Sequence, residues 1–254
     1  MSTRRLTAHH IAVSALAVLT LALFVPSAGT AFLVDHWMRV GTYAAPMLIL
    51  VACAFRSDQA HWQPRDWALA MLVAYIVHQF EEHWIDLYGR NYAFIDSVNA
   101  MFPEADPLTP EGVYVINAAL VWLVGLQAVV WAKTSLRPVG ALFGIVVTNA
   151  PAHVVAAVVQ GAYNPGLATA LAVFVPVGVL AARSLAAVSG GRGALWFGLA
   201  YGVFGHALMV GGLVASGVIG IFPESVYFAG LVAYSLVPTL SVVLATDRHV
   251  VPSR

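Results

Sequence analysis

"MLVAYIVHQFEEHW", residues 71–84, begins as an apolar run and ends with two adjacent glutamates between two histidines. It is either a span that finishes at Val77, with its charges in the wet interface, or a membrane helix that carries them inward. The rest of the chain supplies the setting. Of its 254 residues, 60% are hydrophobic and only 9% charged, with mean hydropathy +0.82. Soluble domains carry about a quarter charged residues, so the composition is that of an integral membrane protein. Apolar stretches near or above about 18 residues, each able to cross about 30 Å of hydrocarbon as a helix, recur along the chain.

The fold class that follows is all-α: a polytopic transmembrane helix bundle forming one integral membrane domain over 1–254. It reads as eight spans, at 9–33, 37–55, 66–86, 110–132, 138–160, 165–187, 194–220 and 226–245. Thr109 with Pro110, and Asn164 with Pro165, have the chemistry of a helix N-cap followed by a first-turn proline, and Pro138 opens the fifth span. With the N-terminus inside, Arg4, Arg5, Arg56, Arg65, Lys133, Arg137, Arg183, Arg192, Arg248 and Arg254 all fall on the inner side. Only Arg39 and Arg90 do not, so both termini are expected in the cytoplasm. The loop 87–109 then faces outward.

Residues 1–31 also resemble a secretory signal, with small residues near Ala31 in place for cleavage; the other spans keep their orientation in either case. The single cysteine, Cys53, excludes an intramolecular disulfide and a cysteine zinc cluster. Net charge is zero and there is no basic run, so the expected partner is the lipid bilayer and not nucleic acid.

At about 100° per residue, Glu81 and Glu82 lie about 60° and 40° to either side of His78, so the three share a face, which Asp86 extends. His83 is turned away by about 140°. From the inner ends of their spans, His78, Asn149, His153 and His206 are all reached after roughly 18–24 Å of rise. Asn117 and Tyr234 lie at a similar depth from the outer ends. Ionisable groups in lipid are costly unless they face the bundle interior and meet, so one shared site in the outer half is the economical reading. His206 is either a ligand in that site or a helix-to-helix hydrogen-bonding partner. Pro151 breaks the ladder between Asn149 and His153. Gly198, Gly202 and Gly205 mark close packing that brings His206 inward.

HxxEE at His78, Glu81 and Glu82, followed by NxxxH at Asn149 and His153, resembles the HXXEE family of bacterial and archaeal integral membrane proteins. A further motif, GxxxY, matches at Gly230 and Tyr234, with Gly161 and Tyr163 in "GAYNPG" as a looser candidate. The resemblance implies a multi-pass protein of a bacterial or archaeal cell membrane with a suspected catalytic centre, and no defined reaction. The inverted zincin signature would need histidine in place of Glu82, and a CAAX-type protease an arginine in place of Asp86.

The residues themselves suggest a metal-dependent membrane hydrolase. His78, His153 and His206 offer nitrogen and Glu81 or Glu82 oxygen to a divalent transition metal: zinc first, iron or manganese otherwise. The metal activates water, the glutamate outside the metal acts as general base, Asn149 orients His153 or polarises a carbonyl, and Tyr234 donates a proton. The substrate expected is a lipid or amphiphilic small molecule, with "FIDSVNAMF" either a lid or an interfacial connector. A proton-coupled transporter or ion-binding membrane protein is the alternative from another class, and an iron-dependent oxidase or hydroxylase a further one. A shared metal requires His78, Glu82 and His153 within about 10 Å of one another.

Overall fold

The computed structural model describes residues 2–25, 28–54, 61–102 and 104–246. Arg56, Arg248 and Arg254, on which the charge argument partly rests, lie outside the described residues. The described chain is helical, with a single isolated bridge between Ile85 and Asn91 as its only strand-like pairing. Its helices are α1 (Ser2–Phe24), α2 (Ala28–Ala54), α3 (Pro64–His83), α4 (Ala93–Asn99), α5 (Pro110–Trp131), α6 (Arg137–Gln160), α7 (Leu167–Ala186), α8 (Gly191–Val218), α9 (Glu224–Ser235) and α10 (Val237–Thr246).

Among the described residues, α5, α6, α7 and α8 are each long and apolar enough to cross a membrane. The number rises to six if the bent pairs α1–α2 and α9–α10 each count as one span. Helix α3 has no such apolar stretch, because Arg65 and Asp66 stand at one end and Glu81 and Glu82 at the other. A belt of exposed apolar side chains, including Val155, Val158, Val159, Val179, Trp196 and Phe204, covers the outside of the bundle. So much apolar surface suits hydrocarbon, where it costs nothing.

Several boundaries differ from the sequence reading. The first break falls between Phe24 and Ala28, not at 34–36, and Ala31 sits inside α2. Helix α3 ends at His83, so Asp86 does not extend its face: Asp86 Oδ1 accepts the N–H groups of Tyr88 and Arg90, each at 2.9 Å, and Oδ2 pairs with Arg90 Nε at 2.6 Å. The span expected at 226–245 is two helices at 41°. Pro238 stands at that break, and the Gln127 side chain spans it, donating to Ser235 O at 2.7 Å and accepting from Thr239 N at 2.9 Å. Those two backbone groups thus keep partners in a lipid setting. The Thr109 cap is as expected, its Oγ1 accepting from Gly112 N at 3.0 Å. Asn164 does not cap α7, whose N-cap is Gly166; its side chain is occupied elsewhere.

Helix α3 is the centre of the bundle, packed against α2, α5, α6 and α7. Its buried face changes from apolar to polar along its length. Ala68, Met71, Leu72 and Tyr75 come first, then His78, Gln79, Glu81, Glu82 and His83, all buried. Helices α6 and α8 approach at backbone distance, because Gly140 meets Ala194 and Gly144 meets Gly198 with no side chain between them. Gly205, further along α8, lies against the Tyr234 ring.

Candidate metal centre

The glutamates are buried within the bundle. His78 is 0% exposed and Glu81 and Glu82 are each 7% exposed. His153, one turn past Asn149 on a continuous α6, reaches across to them. The ligand-capable atoms of His78, Glu82 and His153 all lie within 4.8 Å of one another. His78 Nε2 stands 3.4 Å from Glu82 Oε2, and His153 Nε2 stands 3.4 Å from Glu82 Oε1. Two atoms bound tetrahedrally at about 2 Å from one ion are about 3.3 Å apart, so the spacing suits a shared ion.

The surrounding hydrogen bonds assign the ring protons. Glu81 takes donors from α7 and the loop before it: Thr169 N at 2.6 Å, Thr169 Oγ1 at 2.5 Å, Ala168 N at 3.1 Å and Tyr163 OH at 2.7 Å. It therefore satisfies the open N–H groups of the first turn of α7, where a negative charge is also favoured. The Thr169 hydroxyl, its proton committed to the carboxylate, presents a lone pair to His78 Nδ1 at 2.9 Å. Nδ1 is then the protonated nitrogen of His78, and Nε2 keeps its electron pair.

His153 is set in the same way. Asn164 Nδ2 donates to His153 O at 2.9 Å, which leaves Asn164 Oδ1 to accept from His153 Nδ1 at 2.7 Å. Gly166 fits between the two rings; a Cβ there would lie 2.8 Å from His78 Cε1 and 2.7 Å from His153 Cε1. Its φ of 93° also favours glycine.

His83 belongs to the centre, contrary to the 140° reading. It is the last residue of α3, and its Nε2 lies 2.9 Å from Glu82 Oε2. The Trp122 indole can only donate, so Gln79 Oε1 accepts from it at 3.2 Å, and Gln79 Nε2 donates to Asn117 Oδ1 at 2.8 Å. Asn117 Nδ2 donates to Val113 O at 2.9 Å and lies 3.1 Å from His83 Nε2, while the nearer Glu82 carboxylate calls for a proton on that nitrogen. Three imidazoles thus surround one buried carboxylate, those of His78 and His153 presenting Nε2 electron pairs. Such a set requires positive charge among its members, from a metal ion or from protons. His78 Nε2 is buried without a hydrogen-bond partner, as a metal ligand would be.

Other expected residues are placed differently. Glu81 is wholly engaged by α7 and Tyr163 and stands outside the ligand group. Burial, and with it the Glu81 carboxylate, pushes the Tyr163 phenol above its ordinary value and keeps it a donor. Asn149 Nδ2 donates to Tyr75 OH at 2.9 Å, and its Oδ1 is buried without a partner. His206 lines the same cavity, but its Nδ1 donates to Gly202 O at 2.9 Å and it is not among the three grouped ligands. Tyr234 is remote: its hydroxyl donates to Tyr201 O at 2.6 Å and its ring stacks on Tyr201, joining α9 to α8. Of the two GxxxY-type candidates, the looser one, through Tyr163, is the one that reaches the centre.

The grouped side chains open onto a cavity of about 250 Å³. Glu82, His83, Asn149, His153 and His206 form its polar end, and Val113, Ile116, Met209 and Leu213 its apolar walls. Phe94, Val98, Met101 and Phe102, from α4 and the turn after it, also line it. The segment "FIDSVNAMF" therefore contributes part of the cavity wall. Each of three π-helical stretches, Ala118–Leu123, Ala170–Phe174 and Val214–Val218, starts at or next to a residue of the centre or cavity, namely Asn117, Thr169 or Val214. Insertions of this kind recur at functional sites.

Fold and side chains together define a helical membrane-type bundle with a buried histidine and glutamate centre able to hold a metal ion. Residues 69–181 match the family model described as "Protein of unknown function with HXXEE motif", and this stretch, with both motifs and Tyr163 inside it, is an HXXEE-family segment. No curated protein and no solved structure is detectably similar to the chain.

Proposed function

We propose that the protein is a metal-dependent integral membrane hydrolase, with His78, Glu82 and His153 as ligands, acting on a lipid or amphiphilic substrate in the outer half of a bacterial or archaeal cell membrane. The observation that carries this is the convergence of the His78 and His153 Nε2 electron pairs on the Glu82 carboxylate. Nitrogen and oxygen donors without a thiolate suit zinc, iron or manganese, with zinc the first candidate. Bound there, the metal would supply a Lewis acid and lower the pKa of water toward about 7.

The chain's own groups support the chemistry. Glu81 is a positioning residue that fixes the His78 tautomer through Thr169, and His83 holds the Glu82 carboxylate from the other side. Asn149 and Tyr75 orient the substrate, and His206 faces it from α8. With Glu81 diverted, one carboxylate remains, which is few for a two-iron oxidase. Lysine and arginine placement supports cytoplasmic termini, which goes with eight crossings, α1 and α2 traversing separately.

The test is bound metal, measured by elemental mass spectrometry on untagged protein. Wild type is expected near stoichiometric, and a His78→Ala, His153→Ala double variant at background. Equal metal in both would sink the proposal, and none in either would redirect it to proton-coupled transport. Thr169→Val keeps the side-chain shape but frees the His78 ring. Metal affinity should fall about 10- to 100-fold, read by competition with a chromophoric chelator, while helix content stays the same. Unchanged affinity would remove Thr169 from the argument.

A further inference from the structure

Two acceptor atoms at the centre are left over by the hydrogen bonds. Among the described residues, the buried side-chain polar atoms without a hydrogen-bond partner are His36 Nδ1, Trp67 Nε1, His78 Nε2 and Asn149 Oδ1, and the last two belong to the centre. A buried lone pair left unmet is costly, and one that faced the open part of the cavity would be wetted. Donor atoms about 3.3 Å apart leave no room for water between them, yet they hold an ion at about 2 Å from each. An acceptor that is sealed from water and unpartnered therefore fits an ion's ligand, and Asn149 Oδ1 is such an atom as much as His78 Nε2 is.

Asn149 is also held in the way the ligand rings are. Thr169 takes the Nδ1 proton of His78 and Asn164 that of His153, each leaving an electron pair on the far nitrogen. Tyr75 OH accepts from Asn149 Nδ2 at 2.9 Å, which leaves Oδ1 as the free end of the amide. The Tyr75 ring lies 5.5 Å from that of His78, which lies 4.8 Å from that of His153. Asn149 and His153 are one turn apart on α6, as His78 and Glu82 are on α3, so each helix offers two donors. The positive charge that the centre requires suits this amide, because the oxygen is the negative end of its dipole. Side-chain amide oxygens are neutral, hard ligands.

We infer that Asn149 Oδ1 is a fourth ligand to the ion of this centre, beside two imidazole nitrogens and one carboxylate. The inference rests on the reading of the centre as a metal site; Asn149 then orients a substrate through the ion it holds.

The experiment uses full-length, untagged protein in detergent with zinc alone, and reads affinity by competition with a chromophoric chelator. Asn149→Leu removes the oxygen at similar volume, and affinity should fall at least about tenfold, with Asn149→Ala in its place where the leucine does not pack. Asn149→Asp keeps an oxygen there and should bind at least as tightly as wild type. Tyr75→Phe removes the same hydrogen bond but spares Oδ1, so its loss should be the smaller one. Cobalt-loaded protein gives a readout that a packing role would not move: its visible bands should change in Asn149→Leu and stay in Tyr75→Phe. Unchanged affinity or an unchanged cobalt spectrum in Asn149→Leu, or an equal loss in Asn149→Asp, overturns the inference. Metal in the wild type with any of those results removes Asn149 alone, whereas a wild type without metal removes the metal reading and this ligand with it.

Discussion

Glu82→Gln should release the metal. Glutamine keeps the volume and one oxygen but removes the charge on which His78, His83 and His153 converge. Partners one step further from an ion typically cost 10–100-fold in affinity, so loss of the ligand charge should cost about 100-fold or more. Elemental analysis after dialysis against a chelator would read this directly, with Glu81→Gln as the comparison. Glu81→Gln should be the milder change for metal, since that carboxylate holds Thr169 and lies outside the ligand group. Full retention in Glu82→Gln would mean that the imidazoles converge for protons alone.

The second large effect is structural. A Cβ on Gly144 would lie 1.7 Å from Gly198 O, and the obstruction is backbone on both sides, so no rotamer change can relieve it. Gly144→Leu should force α6 and α8 apart, with the His153 and His206 rings they carry. Overpacking costs about 1–3 kcal/mol even where side chains can shift, so the upper end or more applies. At about 2–4 °C per kcal/mol for a chain of this size, melting in detergent should fall by about 6–12 °C. Gly193→Leu, on the facing helix α8 but with open space around its Cβ, should leave melting nearly unchanged. Equal melting of the two variants would contradict the close approach.

How much of this was legible follows from which interactions are local. His78 with Glu82, and Asn149 with His153, are one helical turn apart, so 3.6 periodicity alone put each pair on one face. The Thr109 cap could be read for the same reason. His83 could not: a regular helix turns it away, and only the end of α3 at that residue and the reach of Glu82 bring the two together. Thr169 and Asn164 hold rings from α3 and α6, contacts set by how a loop returns and not by any spacing along the chain. Tyr234 fits a motif by spacing yet serves packing, because GxxxY occurs freely in an apolar helix. The α9–α10 break stands at Pro238, while its Gln127 partner lies in another helix.

Both clamps on the ligand rings come from one short segment. Asn164, Gly166 and Thr169 sit on the turn that leads into α7, and they enter the bundle between α3 and α6. The ribosome makes this turn last among the parts of the centre. Until it packs, a nascent chain holds Glu82 beside two unclamped rings, those of His78 and His153. Assembly therefore has an order: the carboxylate and both rings are made first, and the centre is completed only when α7 packs against them.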